Sequence, residues 1–305
     1  MSIAIIGCTT VDLIFPAVPR LPEWPRHTEF TPDNLLLLPT PPIFSIGGNG
    51  ANAAYVAARS GQAVSLHSNI GRDTLGTLAR HWLESTGCRV LSSDRGHTAV
   101  NVTVANQRHQ RATFFYAGET VAFPSRRHFR AHDFVLVCGW PHPSGDQLAQ
   151  ALPLLKRSGK FIALDAGPLL GPTWSRDEFE QILKGLSLFI ANEHEIKTLT
   201  ATTTLTAALK ALRRTFSGQV ILKRGRDGAV WSASAEARPV AVRAPKVKAI
   251  STVGAGDSFN GALMAALSAG QAMPKAIALA CRIASSVVAS ATGVTGARPY
   301  RLTPR

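Results

Sequence analysis

The chain has 305 residues, of which 45% are hydrophobic and 17% are charged. These values indicate a globular protein with one large α/β domain or two ordinary domains, and they exclude a disordered chain. The formal net charge of +14 attracts anions. However, the basic residues are scattered and no nucleic-acid-binding module is present, so we do not expect nucleic acid as the main partner.

The first residues form an apolar run of strand length, 2–7, with no basic region before it. This pattern predicts a first β-strand rather than a signal peptide. No apolar run reaches the roughly 18 residues of a membrane span. We therefore expect a cytoplasmic protein without a membrane partner.

Apolar runs of strand length alternate with helical patterns through most of the chain. This alternation is typical of a mostly parallel sheet with helices on both faces. The predicted strands are 2–7, 63–69, 133–138, 160–165, 186–190 and 219–223. The predicted helices are 49–60, 73–86, 145–158, 175–184, 193–199, 203–215, 255–269 and 274–291.

Two segments interrupt the alternation. Residues 12–46 are rich in proline and predict extended, loop-like chain, whereas residues 97–116 alternate as two strands do around a turn at 107–110. Together they could form a small β-sheet beside a ligand crevice, which makes them a candidate lid. Residues 36–46 are more apolar than a solvated lid edge, and a partner surface would explain this.

The four cysteines, Cys8, Cys88, Cys138 and Cys281, are far apart in the sequence and form no C-x-x-C pair. The histidines also lack the spacing of a zinc site. We therefore expect buried free thiols rather than disulfides or metal ligands.

The strongest candidate site is 251–261, Ser-Thr-Val-Gly-Ala-Gly-Asp-Ser-Phe-Asn-Gly, before a long apolar helix. The N–H groups of Ala255, Gly256 and Asp257 at a helix N-terminus would bind an anion. The Asp257 carboxylate could take a proton from an alcohol that attacks a phosphoryl group. On these residues alone, an ordinary helix N-cap explains the motif equally well.

Three further elements have structural explanations of their own. Residues 47–54 are Gly-Gly-Asn-Gly-Ala-Asn-Ala-Ala, which could bind sugar hydroxyls or form a tight turn, and no Walker A loop is present. Residues 192–195 follow a strand and could hold magnesium through water or cap a helix. Residues 223–228, Lys-Arg-Gly-Arg-Asp-Gly, suit a hairpin turn.

The four elements in this order resemble the ribokinase-like, or PfkB, family of carbohydrate kinases, from Gly7 to about Ala297. The resemblance rests on a Gly-Gly-x-Gly-x-Asn element and on an element similar to Asp-Thr-x-Gly-Ala-Gly-Asp. It implies a single ribokinase-like domain over 1–305, an α/β fold of three layers (α/β/α). The central sheet would be mostly parallel, and the small β-sheet lid often pairs with a second subunit, so a homodimer is implied.

The resemblance also implies a role for each matching residue. Asp257 would be the catalytic base. The anion hole would consist of Gly254, Ala255 and Gly256. Substrate would be bound by Asp12, Gly48, Asn49 and Asn52, and ATP by Asn192, Lys223, Gly225 and Gly228. Glu195 would contact Mg²⁺ through water.

Two positions depart from the family pattern. Ser251 stands where many members have an aspartate that helps to form a monovalent-cation site, which puts potassium activation in doubt. Lys223 and Arg224 stand where many members have threonine and leucine, and these two cations could contact phosphates or lie on the surface.

The implied activity is ATP-dependent transfer of the γ-phosphoryl group to a hydroxyl, expected to be of hydroxymethyl type, on a sugar or sugar derivative. A nucleoside kinase on the same fold is an alternative, with Trp24, Phe115, Tyr116 and Trp140 as candidate aromatic residues for a base. A ligand-binding relative that has lost turnover is the other alternative.

Overall fold

A computed structural model of the chain describes residues 1–20, 35–92, 95–106, 108, 110–119, 121, 132–139, 160–167 and 176–302. The predicted helix 145–158 lies outside these residues. None of the helices within them combines the length and the apolar character needed to cross a membrane.

The described elements alternate between strand and helix through most of the chain, as predicted. The strands are β1 (Ser2–Ile6), β2 (Thr10–Val18), β3 (Ile43–Gly47), β4 (Ala63–Ser68), β5 (Arg89–Ser92), β6 (Ala99–Asn106), β7 (Arg111–Tyr116), β8 (Phe134–Cys138), β9 (Phe161–Asp165), β10 (Leu188–Asn192), β11 (Gln219–Lys223), β12 (Ala229–Ser232) and β13 (Val240–Val242). The helices are α1 (Asn49–Ala58), α2 (Thr74–Glu84), α3 (Arg176–Leu183), α4 (Glu193–Leu199), α5 (Leu205–Arg213), α6 (Ala255–Ser268) and α7 (Met273–Val288).

The central sheet has nine strands in the order β13-β12-β11-β10-β9-β8-β1-β4-β5. The strands from β11 to β5 are parallel, whereas β12 and β13 add an antiparallel edge. The prediction of a mostly parallel sheet is therefore confirmed. The short strands β5, β12 and β13 were not predicted, because runs of three or four residues at a sheet edge carry little periodicity.

Helices cover both faces of this sheet, which gives the three layers expected from the sequence. Along β1, Ile3 and Ile5 pack into the core with α1, α6 and α7, whereas Ala4 and Ile6 pack into the core with α3, α4 and α5. Successive strand residues point to opposite faces, so an all-apolar strand fills both cores. All four cysteines are free thiols, and only Cys8 is more than marginally exposed.

The two interrupting segments form a second sheet of four strands in the order β3-β2-β6-β7, which we call the lid sheet. The predicted strand pair in 97–116 is confirmed, and a hydrogen bond from Asn106 N to Gln110 O (3.0 Å) closes its turn. Residues 12–46 were predicted as extended, loop-like chain that could join 97–116 in a small β-sheet, and their described ends do so as β2 and β3. Strand β2 contains Pro16, and β3 occupies 43–47. Strand β2 pairs with β3 on one side and with β6 on the other.

Candidate active site

The parallel strands bring polar residues to one edge of the central sheet. Strands β9, β10 and β11 end at Asp165, Asn192 and Lys223. Asn192 pairs with Lys223, and Asp165 pairs with Ile190, two residues before the end of β10. Helices α1 and α6 pack against each other on one face. In open α/β sheets, ligands bind at the carboxyl ends of the strands. The candidate site therefore lies where this edge meets the N-termini of α1 and α6.

Helix α6 begins with a left-handed glycine. Gly254 has φ = 75°, and its carbonyl accepts hydrogen bonds from Ser258 N (2.9 Å) and Ser258 Oγ (2.7 Å). This arrangement leaves the N–H groups of the first turn, at Gly256 and Asp257, without partners inside the helix. Of the predicted N–H donors, Gly256 and Asp257 are therefore free of helix partners, whereas Ala255 N donates to Thr252 O (3.4 Å).

Asp257 stands in this first turn and contacts α1. Asn52 Nδ2 donates a hydrogen bond of 3.0 Å to Asp257 Oδ2. The two helices approach closely because Gly261 of α6 lies against the Ala53 carbonyl, where a larger side chain would collide with the backbone. Within the described residues no group bonds the buried Asn52 Oδ1. Asn52 therefore orients one carboxylate oxygen of Asp257 and leaves the other available.

The electrostatic environment favours the neutral form of Asp257. Burial raises the pKa of Asp257 above its ordinary value, and the charges of Asp165 and Asp12 raise it further. The hydrogen bond from Asn52 and the charge of Lys223 act in the opposite direction. Once ionised, a carboxylate with a raised pKa is a stronger base than an ordinary one.

The loop before α1 is held by the Asn49 side chain. Asn49 Oδ1 accepts hydrogen bonds from Cys8 N (3.0 Å) and Gly50 N (2.7 Å), and Nδ2 donates to Gly139 O (3.1 Å). Only one amide hydrogen of Asn49 remains for a substrate hydroxyl. Gly48 has φ = 87°, and this left-handed conformation alone accounts for a glycine at this position. For both residues, substrate binding stays a prediction.

Asp12 lies in the lid sheet, inside strand β2. It accepts a hydrogen bond from Thr10 Oγ1 (2.7 Å) and another from Asn101 of β6. Burial raises its pKa, while these two hydrogen bonds lower it. A methyl group on Gly47 would collide with the Asp12 carboxylate, so this glycine provides the space for it. Asp12 and Asp257 interact electrostatically, so the lid carboxylate faces the same region as the α6 N-terminus.

Asn192 and Glu195 form a capping box at the start of α4. Asn192 Oδ1 accepts from Glu195 N (2.8 Å), and Glu195 Oε2 accepts from Asn192 N (2.7 Å). The structural explanation of this motif is therefore correct. Burial raises the pKa of Glu195, and the charge of Asp165 raises it further. One oxygen of Glu195 and the amide hydrogens of Asn192 take no part in the box.

Lys223 ends β11 and forms an ion pair with Asp165, with 2.6 Å between Nζ and Oδ1. Burial by itself would lower the pKa of Lys223, but the charges of Asp165 and Glu195 raise it above its ordinary value. The chain then turns through Gly225 (φ = 54°) and Gly228 (φ = 90°) into β12. The expected hairpin turn is thus present, and ATP binding by these residues stays a prediction.

The structure brings most of the predicted site residues to one place and adds two that the sequence did not reveal. Asn101 was missed, although it is a polar residue in an alternating strand, on the same face as Asp12. Asp165 was missed, although it is the polar last residue of an apolar strand. Trp24 and Trp140 lie outside the described residues. Phe115 pairs with Asn101, so its side chain is on the Asp12 face of the lid sheet.

Comparison with known proteins agrees with this architecture. The model of the pfkB family of carbohydrate kinases matches residues 6–299. A nucleoside kinase from Methanothermobacter thermautotrophicus is 27% identical over 79% of this chain and 78% of its own length. The ribokinase of Bacillus subtilis is 25% identical over 98% of this chain and 97% of its own.

The solved structures include Arabidopsis thaliana ribokinase complexed with ribose and ATP. It superimposes with a TM-score of 0.79 at 21% identity, over 97% of this chain and 95% of that one. A similarity of this kind supports the fold, and the family model covers nearly the whole sequence. The chain therefore belongs to the pfkB family of carbohydrate kinases.

Proposed function

We propose that this protein transfers the γ-phosphoryl group of ATP to a primary alcohol of a sugar or sugar derivative. The observation that carries this proposal is the position of Asp257. Its carboxylate lies in the first turn of α6, is oriented by Asn52 (3.0 Å) and faces the lid carboxylate Asp12. A base next to free backbone N–H groups suits an alcohol that attacks a phosphoryl group.

In the proposed reaction, Asp12 and Asn101 bind substrate hydroxyls on the lid side. Asp257 accepts the proton of the attacking hydroxyl as the new oxygen–phosphorus bond forms. The N–H groups of Gly256 and Asp257 stabilise the charge on the transferred group. A general base contributes on the order of 10²–10⁴-fold to the rate. Closure of the lid sheet would exclude water from the reacting groups.

The residues present fit a magnesium ion. Asp165, Glu195 and Asp257 interact electrostatically near one lysine, so negative charge is in excess there. No group of three or more metal-binding side chains is preassembled in the described residues. Magnesium usually keeps several waters and is held by one or two carboxylates together with substrate phosphates. We propose that Glu195 holds the ion through water, and a bound ion would neutralise phosphate charge.

The nucleotide would lie along the ends of β10 and β11. We assign Asn192, Gly225 and Gly228 to ATP binding, since the turn of Gly225 faces open space and allows close approach of a ligand. Ser251 accepts a hydrogen bond from Val253 N (3.3 Å) and offers no carboxylate for a monovalent cation. We therefore expect initial rates that change little when potassium replaces a bulky organic cation.

A nucleoside kinase is the second candidate. Phe115 is 61% exposed and lies on the Asp12 face of the lid sheet, so it could stack on a nucleobase. A relative named nucleoside kinase supports this possibility. If a nucleoside is the substrate, it should raise the melting temperature of the protein more than a free sugar does at equal concentration.

We also propose a homodimer through the lid sheet. Phe44, Phe114 and Tyr116 lie on the face opposite Asp12, and each is more than half exposed. Leu37, in the coil before β3, is also exposed. An apolar face of this kind is typical of a protein–protein contact.

The experiment that tests the proposed function measures magnesium-dependent ADP production from ATP. The panel should contain sugars, sugar acids, sugar phosphates and nucleosides. We expect turnover with at least one compound that has a primary alcohol. ATP binding without turnover on the whole panel would instead support a ligand-binding relative that has lost catalysis.

A further inference from the structure

The pair of Lys223 and Asp165 points into the candidate site rather than to the surface. Asp165 follows Ala163 by two residues on β9, and Lys223 follows Ile221 by two on β11. Ala163 and Ile221 both belong to the core that contains α6. Residues two apart on a strand share a face, so both charged side chains extend toward α6.

The ammonium group of Lys223 lies beside the proposed anion hole. A methyl group placed on Gly256 would be 3.5 Å from Lys223 Nζ, so the first turn of α6 faces the lysine directly. The side chain of Lys223 is only 14% exposed, and that of Asp165 only 5%. The charge of Lys223 also acts on Asp257 and Glu195, so it sits among three carboxylates.

The carboxylates around Lys223 stabilise its ammonium group, but the nearby N-terminus of α6 does not. A helix N-terminus carries partial positive charge, which repels a cation nearby. A buried lysine also loses its hydration, and Asp165 offsets this loss with a short hydrogen bond. A bound anion between Gly256 N–H and Lys223 would instead interact favourably with both groups.

We propose that Lys223 contacts the phosphoryl group during its transfer and that Asp165 is the residue that positions Lys223. This inference rests on the proposed function and extends it to two side chains. In the step, the alcohol oxygen bonds to the γ-phosphorus and the bond to the bridging oxygen breaks. The bond electrons leave with ADP and the alcohol proton goes to Asp257. The ammonium of Lys223 and the N–H of Gly256 contact the oxygens of the transferring group.

Replacement of Lys223 by methionine tests the contact. We expect kcat to fall on the order of 10²–10³-fold, as for removal of one donor to a developing negative charge. The substitution should also affect the affinities for the two nucleotides unequally. Calorimetry with magnesium present should show a larger loss of affinity for the non-hydrolysable analogue adenylyl imidodiphosphate than for ADP, because only the analogue carries a γ-phosphate.

Two more variants test whether an added amine can replace the Lys223 side chain and whether Asp165 positions it. In Lys223→Ala, added methylammonium or ethylammonium should restore part of kcat, because a small amine can occupy the vacated space. Asp165→Asn keeps the lysine but loosens its orientation, so kcat should fall by about 10–100-fold and no amine should restore it. If Lys223→Met fails to fold, Lys223→Gln, which can still donate to Asp165, replaces it in both assays.

Lys197→Met is the matched control. Lys197 also pairs with a carboxylate, with 2.7 Å between its Nζ and Glu193 Oε1, but its side chain is 29% exposed, about twice as much as that of Lys223. This variant should keep wild-type kcat and both affinities.

If Lys223→Met keeps kcat within threefold while Asp257→Asn is inactive, the inference is wrong and the proposed function stands. Equal losses of affinity for ADP and for the analogue in Lys223→Met would also overturn the inference. An inactive wild-type protein would refute the proposed function, and the binding comparison would still test Lys223.

Discussion

The pairing of Asn52 with Asp257 defines the site at the scale of single residues. The sequence placed both residues in motifs and assigned Asn52 to substrate binding. In the structure, Asn52 Nδ2 donates to the carboxylate at 3.0 Å, and substrate binding by Asn52 stays a prediction. This contact joins residues 205 positions apart, and it depends on how closely α1 packs against α6, which no local pattern reveals.

Replacement of Asn52 by leucine should shift the pH dependence of kcat. The hydrogen bond from Asn52 lowers the pKa of Asp257, so its removal raises that pKa. A general base must be deprotonated, and activity therefore falls as the pH drops through its pKa. The acidic limb of the kcat profile should move to higher pH, which initial rates between pH 5 and pH 9 would detect.

Asn69→Leu is the control for this prediction. Asn69 is also a buried asparagine, and its Oδ1 accepts a hydrogen bond from Thr9 N (2.9 Å). The Asn69→Leu substitution should lower thermal stability but leave the acidic limb of the kcat profile in place. An unchanged limb in Asn52→Leu, with a normal melting temperature, would argue against Asp257 as the titrating base.

At the scale of elements, the two ends of α6 provide a natural comparison. Gly254 precedes the helix with φ = 75°, and Gly270 follows it with φ = 79°. A methyl group on Gly254 would lie 3.2 Å from Asn52 Nδ2, whereas one on Gly270 would meet open space. The backbone demand is therefore the same at both ends, but only one end adjoins the site.

Alanine at either glycine should destabilise the fold by about 1–2 kcal/mol, the cost of a left-handed non-glycine residue. Only Gly254→Ala should also displace Asn52 and the N–H groups of the anion hole. A misplacement of this kind can cost on the order of 10²-fold in kcat. Thermal melts and initial rates of both variants would test this, and equal kcat values for the two would contradict it.

Much of the element order could be predicted because apolar runs and helical periods are local properties. The boundaries of β11 and α4 match the predicted ones, since Gln219–Lys223 and Glu193–Leu199 are flanked by clear turn and cap residues. Pairing partners could not be predicted in the same way. Asn101 lies beside Asp12 through the register of β2 and β6, and Asp165 contacts Lys223 across β10, so neither could be recognised from local sequence.

At the scale of the whole molecule, the lid sheet has two distinct faces. Phe114 and Phe115 are adjacent on β7 and are 53% and 61% exposed, but they point to opposite sides. Phe115 shares the face of Asp12, whereas Phe114 shares the face of Phe44. The first face suits a substrate, and the second suits a partner subunit.

Sedimentation velocity of two serine variants would separate these roles. Phe114→Ser should weaken the proposed dimer, because it removes apolar area from the partner face. Phe115→Ser should leave the sedimentation coefficient unchanged and raise KM for the alcohol substrate. A wild-type protein that sediments as a monomer at micromolar concentration would contradict the proposed dimer, and an identical effect of both variants would contradict the assignment of faces.

The central claim is that Asp257 is the base of an ATP-dependent phosphoryl transfer, and its most direct test compares Asp257→Asn with the wild-type protein. The measurement is the initial rate of magnesium-dependent ADP production with an accepted alcohol substrate. We predict a loss on the order of 10²–10⁴-fold in kcat, with a melting temperature near that of the wild type. Wild-type turnover by Asp257→Asn would contradict the account.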